Sequence, residues 1–195
     1  MDGIILAGGQ SSRMGTPKEL LLIDGVPLIE RTLRLVSASV DRCTIISNHP
    51  ERLAAVSDKA AMYPDDVPGQ GPLGGIATAM RTASSDILLV VACDMPALTS
   101  EVLQRLCAHH PVLESDYDIV YPVWNGRAHP LCALYHRRLY SLVQSLLAAD
   151  RRRMFDLIDG ARALSWNVSS FASTDPFCNV NTVQEYEQFQ EGERP

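Results

Sequence analysis

The sequence predicts an α/β fold, a three-layer sandwich in which a mostly parallel sheet lies between two layers of helices. Two observations predict it. Short apolar runs alternate with segments of helical period, and one run, residues 87–92 (ILLVVA), is apolar throughout. A strand without polar alternation is covered on both faces, as in a parallel sheet with helices on each side. Strands that alternate with helices are joined by right-handed crossovers.

The length and composition predict one domain. The chain has 195 residues, of which 46% are hydrophobic and 21% charged, values typical of a globular protein. A chain of this length buries roughly 70% of the surface that it exposes when unfolded, so it needs no disulfide or metal to support its core. We therefore expect a single domain over residues 1–195.

The elements follow from local patterns. Strands are predicted at residues 3–6, 44–47, 87–92, 118–123 and 131–135. Helices are predicted at residues 27–40, 75–83, 100–109, 139–148, 152–158 and 182–189. Thr99 or Ser100 is a predicted helix N-cap, and Thr182 with Glu185 fits a capping box. Ligands of such sheets bind beyond the carboxyl ends of the strands, so the residues that follow each strand are the functional candidates.

The charge and the cysteines exclude several classes of function. Seventeen Lys and Arg against 23 Asp and Glu leave a net charge of −6, which argues against binding to nucleic acid or to an anionic membrane. The five cysteines form no CxxC pair, so neither a zinc site nor a redox motif is predicted. No basic segment followed by a long apolar run begins the chain, and we expect a cytoplasmic protein with reduced thiols.

The loop after the first strand is a candidate phosphate site. Residues 6–18 (LAGGQSSRMGTPK) contain three glycines, Arg13 and Lys18, and no acidic residue. Glycines let backbone N–H groups approach phosphate oxygens, while the two cations neutralise charge. The spacing fits neither a Walker A loop nor GxGxxG. The alternative is a glycine-rich turn with two solvated cations.

Asp94 is the second candidate, because it follows the wholly apolar strand. An ionised carboxylate at that place is costly unless it reaches solvent or a cation. Beside a phosphate-binding loop, a carboxylate can hold Mg²⁺ together with substrate phosphates. The alternative is a residue that caps a turn or a helix.

Three stretches of the first half resemble the MobA-like nucleotidyltransferases. Residues 6–18 are similar to the family signature LAGGxSxRMGxxK, residues 65–76 (DDVPGQGPLGGI) to its DxxPGxGPLxGI segment, and residues 93–96 to its CDMP. The resemblance implies a mostly parallel Rossmann-like sheet of the glycosyltransferase-A or nucleotide-diphospho-sugar transferase type. From the sequence we place a helix start at Gly75, after the Pro/Gly loop.

The second half is similar to the same family. Residues 129–135 (HPLCALY), 150–154 (DRRRM) and 177–182 (FCNVNT) resemble its HPxxALY strand, its basic segment and its asparagine motif. Val183 departs from the usual proline, which is favourable but dispensable at a helix start. Each stretch also has an ordinary structural interpretation: a hydrogen bond at a strand start, a solvated face, and asparagines that satisfy a turn.

The resemblance implies that GMP is transferred from GTP to molybdenum-bearing molybdopterin, with Mg²⁺ and release of pyrophosphate. It implies Arg13, Lys18 and Asp94 as catalytic residues and Asp94 as the magnesium ligand. The implied nucleotide contacts are Leu6, Ala7, Gly8, Gly9, Lys18, Asp65 and Asp94. The candidates for the pterin substrate, which offer donors to an anionic heterocycle, are His129, Arg151, Asn179 and Asn181. The nucleotide half would span about residues 1–100 and the pterin half about 101–190.

Two alternatives stay open. The first is a cytidylyltransferase for the same cofactor or another small-substrate nucleotidyltransferase, although residues 6–9 read LAGG where cytidylyl relatives typically read LAAG. The second is a non-catalytic nucleotide-binding protein, which loss of Lys18 or Asp94 would favour; both are present. Proteins that deliver or accept the cofactor are expected as transient partners, and neither nucleic acid nor a membrane is expected.

Overall fold

The computed structural model of the chain describes residues 1–8 and 16–192. In that part of the chain the strands are β1 (Asp2–Leu6), β2 (Leu22–Ile23), β3 (Val26–Pro27), β4 (Arg42–Ile46), β5 (Ala61–Tyr63), β6 (Ile87–Ala92), β7 (Ile119–Trp124), β8 (Arg127–Ala128), β9 (Cys132–His136) and β10 (Ala163–Asn167). The α-helices are α1 (Leu28–Ser37), α2 (Gly71–Thr82), α3 (Ser100–Cys107), α4 (His110–Ser115), α5 (Tyr140–Ala148), α6 (Met154–Asp159) and α7 (Val183–Gln190). Short 3-10 helices lie at Lys18–Leu20, Pro50–Val56 and Arg137–Leu139.

One mostly parallel sheet organises these elements. Its strand order is β10-β7-β9-β6-β1-β4-β5, with β8 paired to β7, and β2 and β3 form a separate hairpin. The strand pairs β6–β1, β1–β4, β4–β5 and β7–β10 are parallel. Strand β9 runs antiparallel to both β6 and β7, because a short connection rather than a helix joins it to β7. The predicted α/β fold class is confirmed.

Helices cover both faces of the sheet, as the apolar run of β6 predicted. All six residues of β6 are buried. Leu89 and Val91 pack into a core cluster with α1 and α3, and Leu88 and Val90 pack into a second cluster with α2, α5 and α6. The sheet therefore separates two apolar cores, and its strand ends are left to meet solvent and ligands.

The helix ends differ in part from the predictions. Helix α2 begins at Gly71 rather than at Gly75, so the predicted start is wrong by one turn. Pro72 lies in the first turn, where the missing N–H costs no hydrogen bond. The predicted N-cap is confirmed, since Thr99 accepts a hydrogen bond from Val102 N. The capping box of Thr182 and Glu185 at the start of α7 is confirmed as well.

Several short elements were not predicted. Helix α1 ends three residues before the predicted end. The helix predicted at residues 100–109 ends at Cys107, and a separate helix, α4, follows it. Strands β5 and β10 are edge strands of three and five residues, largely without buried side chains. A strand without a buried face leaves little hydrophobic pattern in the sequence. In the described residues no helix is long and apolar enough to cross a membrane.

The buried carboxylate of Asp118 links strands at their opposite ends, away from the carboxyl ends of the parallel strands. Asp118 accepts hydrogen bonds from Arg138 Nε at 2.5 Å and from Arg162 Nε and Nη2 at 3.0 Å each. Hydrogen bonds from Arg162 hold the pKa of the Asp118 carboxyl well below its usual range; burial opposes this shift and Arg138 adds to it. Since Arg162 precedes β10 and Arg138 follows β9, Asp118 joins three strands.

We predict that Asp118→Asn lowers the free energy of unfolding at pH 7 by about 2 kcal/mol, because charged hydrogen bonds are lost. The lowered pKa means that this stability is present above the unfolded value of about 3.9 and is lost progressively as pH falls below it. Urea unfolding at pH 7 and pH 3 measures both effects. Asp116→Asn, an exposed neighbour, is the control. Equal urea midpoints for wild type and Asp118→Asn at pH 7 would contradict the assignment.

Candidate functional site

The carboxyl ends of β1, β4, β5 and β6 lie together at one edge of the sheet, because these strands are parallel neighbours. We call this the carboxyl edge. Beyond the strand ends, the Cys93 N–H donates to the Leu6 carbonyl at 3.0 Å. Since β9 runs the other way, its amino end reaches the same edge, where the Ala92 N–H donates to the Leu131 carbonyl at 2.7 Å. Residues that precede β9 therefore lie beside residues that follow β6.

The predicted phosphate loop leaves β1 at this edge. Of its residues, 6–8 and 16–18 are described, whereas the predicted nucleotide contact Gly9 and the predicted catalytic Arg13 lie outside the described residues. Gly8 is exposed and Lys18 begins a short 3-10 helix after Pro17. The described ends of the loop thus bracket the carboxyl edge.

Three of the predicted site residues meet at one point of the carboxyl edge. Lys18 Nζ lies 3.6 Å from Asp94 Oδ2 and donates a hydrogen bond to Asn181 Oδ1 at 2.5 Å. The Val180 N–H donates to the Asp94 carbonyl at 3.0 Å, which fixes the C-terminal segment against the end of β6. The contact joins residues 163 positions apart in the chain.

The Asp94 carboxylate has one oxygen that is unpaired within residues 1–8 and 16–192. Its Oδ1 is buried and accepts no hydrogen bond from the described residues. Burial raises the pKa of Asp94; Lys18 opposes the shift, and Glu185 adds to it. A hard anionic oxygen that is buried and unsatisfied suits a divalent cation, which would satisfy it. In the described part of the chain no group of three or more His, Cys, Asp or Glu residues could hold a metal, so we treat Asp94 as a single carboxylate ligand.

Asp65 is held in place by Asn48, a residue that the sequence analysis did not select. Asn48 Nδ2 donates to Asp65 Oδ2 at 2.8 Å, and Asn48 Oδ1 accepts from the Asp65 N–H at 2.9 Å. Burial raises the pKa of Asp65, and the hydrogen bond from Asn48 opposes that shift. Gly75 packs beside the other carboxylate oxygen: a Cβ there would lie 3.4 Å from Asp65 Oδ1. Asn48 makes no hydrogen bond to Asp65 Oδ1 in these two contacts.

His129 lies in the wall between β9 and the C-terminal segment. Its side chain is 6% exposed and stacks on Phe177, with ring centroids 4.6 Å apart. Nε2 lies 3.8 Å from Asp175 Oδ1 and makes no hydrogen bond to the described residues. Burial lowers the pKa of His129 and Asp175 opposes the shift, so the imidazole is neutral at pH 7.

The two predicted asparagines differ in their surroundings. Asn181 accepts the hydrogen bond from Lys18, whereas Asn179 Oδ1 is buried without a hydrogen-bond partner among the described residues. Three orphaned polar atoms, on Asp94, His129 and Asn179, therefore belong to the carboxyl edge or to the C-terminal segment bound to it. Buried polar atoms are normally hydrogen-bonded. These three atoms therefore suit partners from outside the described residues, such as a bound ligand.

The arginine run lies farther along this surface. Arg151 Nη2 donates to Asp156 Oδ1 at 2.8 Å, so one end of its guanidinium is paired within its own segment. Arg152 Nη1 instead donates to the Gly69 carbonyl at 2.9 Å, which brings the run against the loop after β5. The structure therefore links Arg152 directly to the Asp65 loop and leaves Arg151 at its side.

Two cavities of the described part of the chain lie away from this site. Cavities of about 670 Å³ and 380 Å³ lie at the opposite edge of the sheet, where Asp2 and Arg42 line the larger and Asp86 and His136 the smaller. Neither is lined by a predicted site residue.

Comparisons with known sequences show the family and relatives of this chain. A family model described as the MobA-like NTP transferase domain matches residues 3–163. A protein of Bacillus cereus (strain AH820), named probable molybdenum cofactor guanylyltransferase, is 35% identical over 199 aligned positions, covering 96% of this chain and 94% of that protein. A protein of Bacillus anthracis (strain CDC 684 / NRRL 3495) with the same name is 34% identical over 194 positions, with the same coverage.

Solved structures share the fold. The crystal structure of molybdopterin-guanine dinucleotide biosynthesis protein A from Archaeoglobus fulgidus superposes with a TM-score of 0.81 at 23% identity, over 98% of this chain and 97% of that one. The structure of CMP:2-keto-3-deoxy-manno-octonic acid synthetase complexed with CTP superposes with a TM-score of 0.75 at 16% identity, over 97% and 96%. At these identities the likeness establishes the fold alone.

We predict that Asp94→Asn stabilises the unliganded protein, because it removes a buried carboxylate of which one oxygen has no hydrogen-bond partner in the described part of the chain. The melting temperature should rise by about 2–4 °C, equivalent to about 1 kcal/mol, as functional residues are often held at a cost in stability. Calorimetry at pH 7 measures the change. Asp86→Asn, whose side chain is 76% exposed, is the control and should shift the melting temperature by less than about 1 °C. A melting temperature of Asp94→Asn below that of wild type would contradict this account.

Proposed function

This chain belongs to the MobA-like NTP transferase family, and on that premise we propose that it transfers GMP from GTP to molybdenum-bearing molybdopterin, releasing pyrophosphate. It is a nucleotidyltransferase. The proposal rests mainly on the contacts among Lys18, Asp94 and Asn181 at the carboxyl edge. Together they provide a cation, a carboxylate with one oxygen unpaired among the described residues, and an amide. Ligands of α/β sheets bind at such strand ends.

The nucleotide is assigned to the first half of the chain. Backbone groups of residues 6–9 hold its phosphates, with Gly9 assigned from the family resemblance. Asp65 accepts hydrogen bonds from the base or the ribose through the oxygen that Asn48 leaves free. Guanine offers N1–H and N2–H donors on one edge, which suit a carboxylate acceptor.

Asp94 is the residue that would hold a divalent cation, which we take to be Mg²⁺. Its Oδ1, buried and without a hydrogen bond from the described residues, supplies the hard oxygen that such an ion prefers. When bound, the cation polarises phosphoryl oxygens and stabilises the leaving pyrophosphate. Lys18 remains close enough to Asp94 to contact the same phosphates, since its Nζ lies 3.6 Å from Oδ2.

The pterin substrate is assigned to the second half of the chain, about residues 101–190 of a single domain. His129, whose pKa burial lowers, and Asn179 each offer a heterocycle a polar atom that is unpaired among the described residues. Arg151 supplies positive charge for the terminal phosphate, and Asn181 lies at the boundary between the halves, beside Lys18.

The reaction joins two polyanions, so the protein's part is to neutralise charge and to align the reactants. An oxygen of the terminal phosphate of molybdopterin forms a bond to the α-phosphorus of GTP. The bond from the α-phosphorus to the oxygen bridging to the β-phosphate breaks, and pyrophosphate leaves with that electron pair. The attacking phosphate is already ionised, so no general base is needed. Lys18 and Arg13, the latter assigned from the family resemblance, stabilise the charge that grows on pyrophosphate.

We assign the reaction to the cytoplasm, where the five cysteines, none of which forms a disulfide in the described part of the chain, stay reduced. The product cofactor and its unstable precursor are chemically reactive small molecules. Proteins that deliver the precursor or accept the product are therefore proposed as transient partners.

A thermal-shift panel of GTP, CTP, ATP and UTP with Mg²⁺ tests the nucleotide assignment. At a concentration of 100 times Kd, GTP should stabilise the protein by about 2.7 kcal/mol, a rise of roughly 5–10 °C in melting temperature. Asp65→Ala should reduce the GTP shift by at least half, because the base or ribose loses its acceptor, while the exposed control Asp58→Ala should not. A larger shift with CTP than with GTP would favour the cytidylyl alternative and contradict the proposal.

A further inference from the structure

The loop between β5 and α2, residues 65–70, carries Asp65 and contacts both halves of the chain. It begins after the edge strand β5 and ends where α2 starts at Gly71. Gly69 and Gly71 have φ values of +83° and +66°, a backbone region that residues with a Cβ rarely adopt. A loop with such backbone freedom needs contacts from outside to keep one conformation.

Contacts from the nucleotide half hold the start of this loop. Asn48 makes two hydrogen bonds to Asp65, one to its side chain and one to its backbone N–H. Arg81 on α2 donates two hydrogen bonds to the Asp66 carboxylate, at 2.6 and 2.7 Å. Thr78 Oγ1 accepts from the Asp66 N–H at 3.0 Å. These contacts fix the first two residues and none of them reaches Gly69.

The end of the loop is held by the other half of the chain. Arg152, in the connection between α5 and α6, donates from Nη1 to the Gly69 carbonyl at 2.9 Å. Its Nη2 lies 2.7 Å from Asp150 Oδ1, which orients the guanidinium. A hydrogen bond from a charged donor is about twice as strong as a neutral one. The contact spans 83 positions of the chain.

We propose that Arg152 is a positioning residue for the nucleotide: it holds the end of the 65–70 loop, so that Asp65 is kept in its binding orientation. The inference rests on the proposed function, because it takes Asp65 as a nucleotide contact. Arg152 belongs to the pterin half and does not contact the nucleotide in this proposal. It nevertheless affects nucleotide affinity, through the position of Asp65. Arg151, its neighbour, is bound to Asp156 and has no such role.

The test compares Arg152→Gln with Arg153→Gln, which removes the same charge from an adjacent exposed residue. Two measurements on the whole protein are needed. The first is hydrogen exchange of the backbone amides of residues 65–67 and 69–71 without ligand. The second is calorimetry, which gives Kd values for GTP and for guanosine. Arg152→Gln should speed the loop exchange, and it should raise both Kd values by about three- to tenfold relative to Arg153→Gln. Arg152→Lys should recover part of the loss, because an ammonium can donate to the same carbonyl.

The outcomes separate this inference from the proposed function. If wild type binds GTP and Arg152→Gln behaves as Arg153→Gln in both measurements, the inference is wrong and the function stands. Weaker binding of GTP with unchanged guanosine binding would overturn it too, since it would mean that Arg152 contacts a phosphate directly. If wild type binds neither GTP nor guanosine, the proposed function itself is wrong, whereas the exchange measurement still reports on the loop contact.

Discussion

The site depends on one electrostatic constraint: a carboxylate must sit at the end of a strand that is buried on both faces. Asp94 follows β6, and burial raises its pKa while the Lys18 ammonium, 3.6 Å away, offsets part of that cost. The C-terminal segment completes the arrangement through Val180 and Asn181, which bind the Asp94 carbonyl and Lys18. One carboxylate oxygen has no hydrogen-bond partner among the described residues, and it lies where a cation and phosphates would bind.

The fold could be predicted where the sequence carries a period or a cap. The apolar run of β6 indicated burial on both faces, and Thr182 with Glu185 marked the start of α7. Strands β5 and β10 could not be found this way, because edge strands bury little and their pattern is weak. The hairpin of β2 and β3 turns at Asp24 and Gly25, both with positive φ. That Asp-Gly pair is a known hairpin signal, so this element was within reach of sequence reasoning.

The site was predictable to a different extent. Position after a strand selected Asp94, and the two cations without an acidic residue within residues 6–18 selected the loop. The same rule could have selected Asn48, which follows β4, but nothing in the sequence shows that it clamps a carboxylate 17 positions away. The contact of Arg152 with Gly69 could not be predicted either, since it depends on how α5 and α6 pack beside α2. Residue types can be predicted from local pattern, whereas partners need the tertiary structure.

In the proposed reaction, nucleotidyl transfer takes place at Asp94. The most direct measurement follows GTP, Mg²⁺ and molybdenum-bearing molybdopterin by phosphorus NMR with wild type and with Asp94→Ala. Wild type should form pyrophosphate and an equal amount of a new pyrophosphate bridge to the pterin. Asp94→Ala, folded by circular dichroism, should be slower by at least about a hundredfold, or roughly 2.7 kcal/mol of barrier. Turnover by Asp94→Ala at the wild-type rate would contradict the account.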